Sequence, residues 1–297
     1  MAAAHTDIAL VIDDRPVGRV ARLSGHEAVA SPYRFDVEVH CDAPPGDAET
    51  ALGRGACLDL VGAAGGSRRL HGILVEWDVS AVADGWRVRA VLGPRAWLLD
   101  QQRRTRRFHD LSAVDVALGL TAELRPDGAA YLRGVPRRRP EPTPVIAQAD
   151  ETDLALIARC LADAGLSYVF AQDADGERMV LVDDAVRLAR AAGAPGAGLT
   201  ADARDNLVRQ GRLVVDSEGR PVARASWHGT TRDAGLTPGM TLDGAGDDGS
   251  GLAISALTHA AQVDGDGLHY TCWFEACPAT RLVPEGRAAH APGDADK

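Results

Sequence analysis

The chain has 297 residues, 45% apolar and 4% aromatic, with 32 Gly and 16 Pro; this length has room for roughly two domains, and the turn-forming residues favour many short elements over long helices. A formal net charge of −10 argues against a general nucleic-acid binder, which needs a basic surface, and the few aromatics argue against a platform of stacked bases or sugars. The positive charge is carried by arginine, with Lys297 the single lysine, and the five cysteines (Cys41, Cys57, Cys160, Cys272, Cys277) follow no framework spacing, which reads as reduced thiols in a reducing compartment.

Residues 8–12 form a short apolar run, Asp13-Asp14-Arg15 makes a turn, and residues 17–23 resume the run. Tyr33-Arg34-Phe35-Asp36-Val37-Glu38-Val39 alternates apolar and polar with period two, as a half-buried strand does. Residues 70–79 and 86–92 read as further strands, joined by the hairpin signal Asp84-Gly85. Several short antiparallel strands around one core predict a barrel or sandwich. The charged turn at Asp13-Asp14-Arg15 interrupts any signal-peptide core, and no run approaches the ~18 apolar residues of a membrane span. Cytoplasmic assembly without membrane contact is expected, with any export requiring a machine.

Near residue 100 the pattern changes. Ser112-Ala113-Val114-Asp115 resembles a capping box with Asp in place of Glu, and Val114, Ala117, Leu118 and Thr121 then fall on one helical face. Pro136-Arg137-Arg138-Arg139-Pro140-Glu141-Pro142-Thr143-Pro144 reads as a stiff extended connector, with a strand over 145–149. Thr152 is placed as an N-cap with Asp153 in the first turn. Leu154, Ile157, Ala158 and Leu161 form the buried stripe, and Gly165 supplies the left-handed stop. Residues 166–170 read as a strand, and Asp175-Gly176 turns into Met179-Val180-Leu181-Val182. Residues 189–204 read as a loose linker, and the tail after Pro284 as disordered.

The β pattern then recurs. Cys57-Leu58-Asp59-Leu60 is echoed by Met240-Thr241-Leu242-Asp243, and Gly72-Ile73-Leu74-Val75-Glu76-Trp77 by Leu252-Ala253-Ile254-Ser255-Ala256-Leu257. Asp84-Gly85-Trp86-Arg87-Val88-Arg89-Ala90-Val91 is echoed by Asp266-Gly267-Leu268-His269-Tyr270-Thr271-Cys272-Trp273. This predicts a duplicated module and a mainly β fold with an inserted α+β region. The expected division is a first β-barrel module over 5–100, the insert and linker over 101–200, a second β-barrel module over 201–285, and a disordered tail over 286–297.

Chemistry is weakly signalled. His269, Cys272 and Cys277 with His259 upstream fit no common zinc spacing, and Cys272 would face opposite to His269 on a strand. Asp183-Asp184, Asp247-Asp248 and Asp36 with Glu38 fall at predicted turns or on solvent faces. The loop from Asp243 to Gly249 lacks the closing Glu of an EF-hand. Gly62 to Gly66 leads into Ser67-Arg68-Arg69 and a strand, so no helix N-terminus stands ready for a phosphate. The runs Arg103-Arg104-Thr105-Arg106-Arg107 and Arg137-Arg138-Arg139 read as solvated faces, and Trp77, Trp86 and Trp97 as packing residues. No catalytic, cofactor-binding or metal-ligating residue is assigned.

Several strings resemble the VgrG family, the spike proteins of bacterial type VI secretion systems, and the related phage late-control hub proteins. They are Ser31-Pro32-Tyr33-Arg34-Phe35, Gly72-Ile73, Leu92-Gly93-Pro94-Arg95-Ala96-Trp97-Leu98-Leu99, Phe108-His109-Asp110-Leu111-Ser112 and, above all, Gln148-Ala149-Asp150-Glu151-Thr152-Asp153-Leu154-Ala155-Leu156 followed by Ala164-Gly165-Leu166-Ser167-Tyr168-Val169-Phe170. Leu236-Thr237-Pro238-Gly239, residues 270–274 and Pro278-Ala279 continue the match, which covers most of 5–285; residues 185–235 fit poorly. The resemblance implies a non-enzymatic structural hub, a homotrimer whose six barrels dock on a hexameric tube protein among other baseplate components. It extends to the hub region alone, without the OB-like and β-helix needle portions, so a separate spike or needle protein is the expected partner. The alternatives are a cell-wall hydrolase carried by such a machine and a non-assembling hub-fold adaptor or remnant.

Overall fold

Period-two alternation builds most of the chain. The computed structural model describes residues 6–62, 66–174, 176–192, 206–215, 219–242, 251–265 and 267–283. Strands β1 (Asp7–Ile12) and β2 (Arg15–Pro16) flank Asp13 and Asp14, both at positive φ, a conformation that Asp adopts more readily than bulky residues. β3 (Arg19–Ala28) and β4 (Ser31–Cys41) follow. In β4 Tyr33, Phe35, Val37, Val39 and Cys41 are buried, and the residues between them are not. α1 (Ala48–Ala51) leads into the meander β5 (Gly55–Val61), β6 (Ser67–Val82) and β7 (Gly85–Gly93).

The chain then leaves the sheet. A 3-10 turn (Arg95–Asp100) precedes β8 (Arg103–Leu111) and α2 (Ala113–Thr121). Next come β9 (Leu132–Arg133), β10 (Thr143–Thr152) and α3 (Asp153–Asp163). β11 (Ser167–Asp173), β12 (Gly176–Val182) and α4 (Ala185–Ala191) complete the insert. β8 pairs with β10, while β9 adds in parallel to the β11–β12 hairpin.

The caps sit where local chemistry places them. Ser112 and Asp115 bond each other's backbone N–H in a full capping box, and the Thr152 hydroxyl accepts from the Ala155 N–H. Gly165, at φ 72°, ends α3 in the left-handed region, which costs glycine least. The expected α2 stripe needs one correction. Leu118 is exposed and Val116 is buried instead, because Val116 and Ala113 pack with Leu156 and Cys160 while Val114 and Ala117 pack on a second cluster. Wedged between two clusters, α2 turns a wider face inward than a single stripe provides. The expected linker also begins later than the spacing indicates, since α4 runs to Ala191; residues 193–205 and the tail from 284 lie outside the described residues.

β13 (Val208–Val215), β14 (Pro221–Thr231), β15 (Thr241–Leu242), β16 (Leu252–Asp264) and β17 (Gly267–Pro278) return to the sheet. Among the described residues its 12 strands run β13-β14-β17-β16-β3-β4-β7-β6-β5-β1-β2, with β15 also on β16. The antiparallel β16–β3 ladder, from Ala256 opposite Ala28 to Gln262 opposite Arg22, joins the two β regions. One contiguous buried cluster lies beneath both.

The repeat is visible in the ladders. β5–β6–β7 and β15–β16–β17 are both antiparallel meanders. β6 bulges between Leu74 and Glu76 against β7, and β16 bulges between Ile254 and Ala256 against β17. The bulged residues, Val75 and Ser255, are the ones the sequence alignment sets opposite each other. A bulge is a specified feature of a strand pair, commonly kept within families, so its recurrence at matched positions supports a duplicated module. Outward from the bulge, β4 lies on β7 as β14 lies on β17, and β3 lies on β4 as β13 lies on β14.

Candidate functional site

The side chains that converge are structural joints, and two stand out. The first lies where the β modules meet. Glu27 on β3, Arg68 on β6, His259 on β16 and Tyr270 on β17 form a buried polar cluster. His259 Nε2 lies 2.9 Å from Glu27 Oε1, and its Nδ1 lies 2.7 Å from the Tyr270 hydroxyl. Arg68 Nη2 donates to Glu27, and Arg68 Nη1 donates to the Leu236 carbonyl at 2.6 Å.

The charge states follow from these partners. Burial by itself raises the Glu27 carboxyl, but Arg68 and His259 outweigh it and hold Glu27 below its ordinary value. Burial pushes the His259 imidazole down against the pull of Glu27 and pushes the Tyr270 phenol up. The consistent arrangement is a Glu27 carboxylate paired with Arg68 and a neutral His259. The network assigns His259 as donating from Nε2–H to Glu27 and accepting from the Tyr270 hydroxyl at Nδ1.

The second joint ties the insert to the first module. Tyr33 donates its hydroxyl to the His71 carbonyl, and its ring meets Phe170 edge-on at 5.5 Å. The Gln172 side chain accepts from the His71 N–H at 2.9 Å, and the Ala30 N–H donates to the Tyr168 carbonyl at 2.9 Å. The neighbouring Val29 N–H donates to the carbonyl of Ser255, the bulge residue, at 3.0 Å. The β3–β4 turn therefore touches the second module and the insert together. Glu177 is buried beside this joint and accepts from the Arg95 N–H at 2.8 Å. Burial raises its carboxyl above the ordinary value, opposed by the Arg95 backbone and Tyr131.

Two of the strings that carried the resemblance thus meet in space, since Tyr33 touches Phe170, and a third is held beside them where the Arg95 N–H donates to Glu177 of β12. Gln148 and Asp153 hold Arg106 at 2.7 and 2.5 Å, fixing the corner between β10 and α3.

The residues weighed for chemistry do not converge. His269 is exposed and pairs with Asp264 at 2.9 Å, Cys272 points into the core, and His259 belongs to the Glu27 cluster. Among the described residues no three His, Cys, Asp or Glu side chains are grouped to hold a metal. Asp36 and Glu38 pair outward with Arg34 and Arg89 at 2.9 and 3.2 Å, and Asp184 caps α4 through the Arg187 N–H at 2.8 Å. Asp247, Asp248 and most of the loop from Asp243 lie outside the described residues. Of the arginine runs, Arg106 pairs with Asp153, Arg137 with Asp184 at 3.0 Å, and Arg139 with Asp115 at 2.5 Å. Trp77 is buried and donates to the Gly46 carbonyl at 3.3 Å, Trp86 packs against the core, and Trp97 lies under Arg34.

Sequence reasoning passed over one pair. Cys57 Sγ lies 3.3 Å from His71 Nδ1 at a pocket of about 360 Å³ shared with Arg95, Arg125, Asp127 and Glu177. Burial pushes the Cys57 thiol up and the His71 imidazole down. That leaves a neutral hydrogen bond, the opposite of the lowered thiol that nucleophilic attack requires. No helix among the described residues is long and apolar enough to cross a membrane.

The chain thus seats an α+β insert between two β modules that share one sheet and one repeated bulge. The sequence matches the phage tail baseplate hub family (GPD) over residues 26–212. The chain belongs to this family. Among curated relatives it is similar to the type VI secretion spike protein VgrG4b of Pseudomonas aeruginosa, 28% identical over 235 residues that make up 70% of this chain and 28% of that protein. It is similar also to VgrG5 of the same organism, 30% identical over 218 residues, 70% of this chain and 26% of that one. The hub chain therefore spans a little over a quarter of the length of these relatives. Among solved structures, the E. coli c3393 protein superposes with a TM-score of 0.72 at 21% identity, over 94% of this chain and 79% of that one. The 43 kDa tail protein of Shewanella oneidensis prophage MuSo2 superposes at 0.61 and 13% identity, over 94% of this chain and 99% of that one. These superpositions show a common fold.

Proposed function

We propose that this chain is the structural hub of a contractile injection apparatus, of the type VI secretion or phage tail kind. In this reading it is a homotrimer that seats on a hexameric tube, holds a spike among the baseplate components, and is assembled in the cytoplasm before export with the machine. Its role is structural rather than catalytic.

The observation that carries this reading is the duplicated module, with one strand order and one bulge position occurring twice in a single sheet. Three chains with two such modules each offer six similar surfaces to a sixfold tube, while the trimer as a whole keeps the threefold symmetry a spike needs. Family membership and the shared fold support the same role. The buried joints suit it too, since Glu27, Arg68 and His259 lock the modules to one another and Tyr33 with Phe170 locks the insert to the first.

Light scattering across a dilution series tests the proposal. The expected result is a stable mass three times that of the 31.2 kDa chain, and retention by an immobilised hexameric tube protein. A mass of one chain at every concentration overturns self-assembly of this chain.

A further inference from the structure

The two modules differ at one edge. Beyond the bulge, β16 has β17 on one side and β3 on the other. The matching stretch of β6, from Glu76 to Val82, has β7 on one side and no strand on the other among the described residues. Apart from the β7 ladder, no backbone hydrogen bond from that stretch reaches another segment among the described residues, although β5 covers β6 before the bulge. At the opposite end of the sheet, β13 also has an open outer edge among the described residues. By strand order, β13 is to its module what β3 is to the first. The sheet thus begins with a strand of the kind that its far end lacks.

We infer that the outer edge of β13 in one copy of this chain pairs antiparallel with the Glu76–Val82 edge of β6 in a second copy, repeating between chains the β16–β3 ladder inside the chain. This rests on the self-assembly in the proposed function and names its contact.

The register follows from the repeat. Within the chain, His259 lies opposite Gly25, and Gly25 lies opposite Phe35, which faces Leu92. Leu92 faces Leu74, the residue just before the bulge. In the second module Ile254 holds that place, facing Ala276, then Trp227, then Arg209. Arg209 therefore corresponds to Gly25, and Val79 corresponds to His259. Transferring the internal register sets Val79 opposite Arg209, Trp77 opposite Gly211 and Glu76 opposite Arg212 of the other copy.

Two independent properties of the ribbon agree with this register. One is the sidedness of the ribbon. Residues paired across β13 and β14 share a face, so Leu213, Val215, Pro221, Ala223 and Ala225 lie with Trp227 on one side. Apart from Arg209, whose guanidinium lies over the Trp227 ring, that side is apolar and continuous with the core through Ala225 and Trp227, yet Leu213 and Val215 are 72% and 68% exposed. The register turns it to the side on which Trp77 is buried. The other property is charge. Arg212 and Arg224 stand directly opposite each other on the second face, a like-charge pair that disfavours the ribbon alone. Neither has an acidic partner among the described residues. The register brings Glu76, which within its own chain also accepts from Arg34 at 3.0 Å, to Arg212, with Asp78 two residues along the same face; both acids are exposed. Edge-to-edge addition supplies the missing ladder bonds, and a contact between different edges closes into a ring when the rotation allows.

The test is a charge swap with a cross-link. Glu76→Arg and Arg212→Glu are each expected to weaken self-association by about tenfold, as like charges meet across a strand pair, and the double variant to restore it. Glu76→Cys with Arg212→Cys, oxidised, should give covalent species at two and three times the chain mass, and neither single variant should. Circular dichroism of each variant checks that the exposed substitutions leave the fold intact. If the unmodified chain associates but responds neither to the swap nor to the cysteine pair, this pairing is overturned and the hub reading stands. If the unmodified chain stays monomeric at every concentration, both fail.

Discussion

Glu27, where the β modules meet, and Glu177, where the insert meets the first module, are 6% and 4% exposed, yet their protonation is driven in opposite directions. Glu27 is held ionised by Arg68 and by the Nε2–H of His259. Glu177 has the Arg95 backbone N–H and the Tyr131 phenol beside it, and these do not offset the cost of burying a charge. Depth of burial is the same; the partner decides the charge. The module joint is therefore ionic and depends on every member of its cluster, whereas the insert joint rests on aromatic packing and neutral hydrogen bonds.

The sharpest break in this comparison is Glu27→Ala. It leaves Arg68 buried without its carboxylate, which costs about 3–5 kcal/mol, seen as a large drop in the urea midpoint. Gly25→Ala acts on the same joint through volume. A Cβ there would stand 2.3 Å from the Phe35 ring, and Phe35 in turn packs on His259 at 5.2 Å; overpacking of this kind costs about 1–3 kcal/mol. Tyr33→Phe at the insert joint removes one neutral hydrogen bond and should cost only about 1 kcal/mol by the same measurement.

Glu177→Gln has the smallest effect on magnitude and the clearest on sign. Glu177 has a raised folded value, so its contribution is complete below the ordinary carboxylate range and is lost as pH rises through the folded value. The amide should abolish that loss. Glu27 has a lowered folded value, so its contribution stands above the ordinary range and disappears as pH falls through the folded value. Urea midpoints against pH should therefore lose their decline on the alkaline side of the carboxylate range in Glu177→Gln while keeping the acid decline. Parallel curves for the variant and the parent would show that the two glutamates do not differ as described.

Local chemistry made some of this legible in the sequence. Ser112, Thr152 and Gly165 mark their helix ends by side chain and spacing alone, and Asp84-Gly85 marks its hairpin. The module repeat could be aligned through Val75 and Ser255. The bulges could not be seen, because Ile73-Leu74-Val75 and Leu252-Ala253-Ile254 are apolar runs in which the change of face leaves no trace. The Glu27 cluster was hidden for another reason. Glu27 and His259 are 232 residues apart, and each looks like an ordinary polar residue on a strand. A signal was present nonetheless. Leu257-His259-Ala261 and Leu23-Gly25-Glu27 place both polar residues on the inward parity of their strands, where a charge or imidazole calls for a partner. The placement of Leu118 failed for want of the second cluster on α2, which only the tertiary packing reveals.

The β16–β3 ladder also sets a timetable. It joins residues 22–28 to residues 256–262, so β3 leaves the ribosome long before its neighbour exists. Closing so long a loop adds only slowly to the entropic cost, but contacts this distant in sequence delay folding more than they weaken the product. Until β16 is made, β3 waits with one edge bare, and Glu27 and Arg68 wait without His259. The segment of the chain synthesised first is thus among the last to be finished, and a ribosome stalled before Leu252 would hold an open sheet that invites the wrong strand.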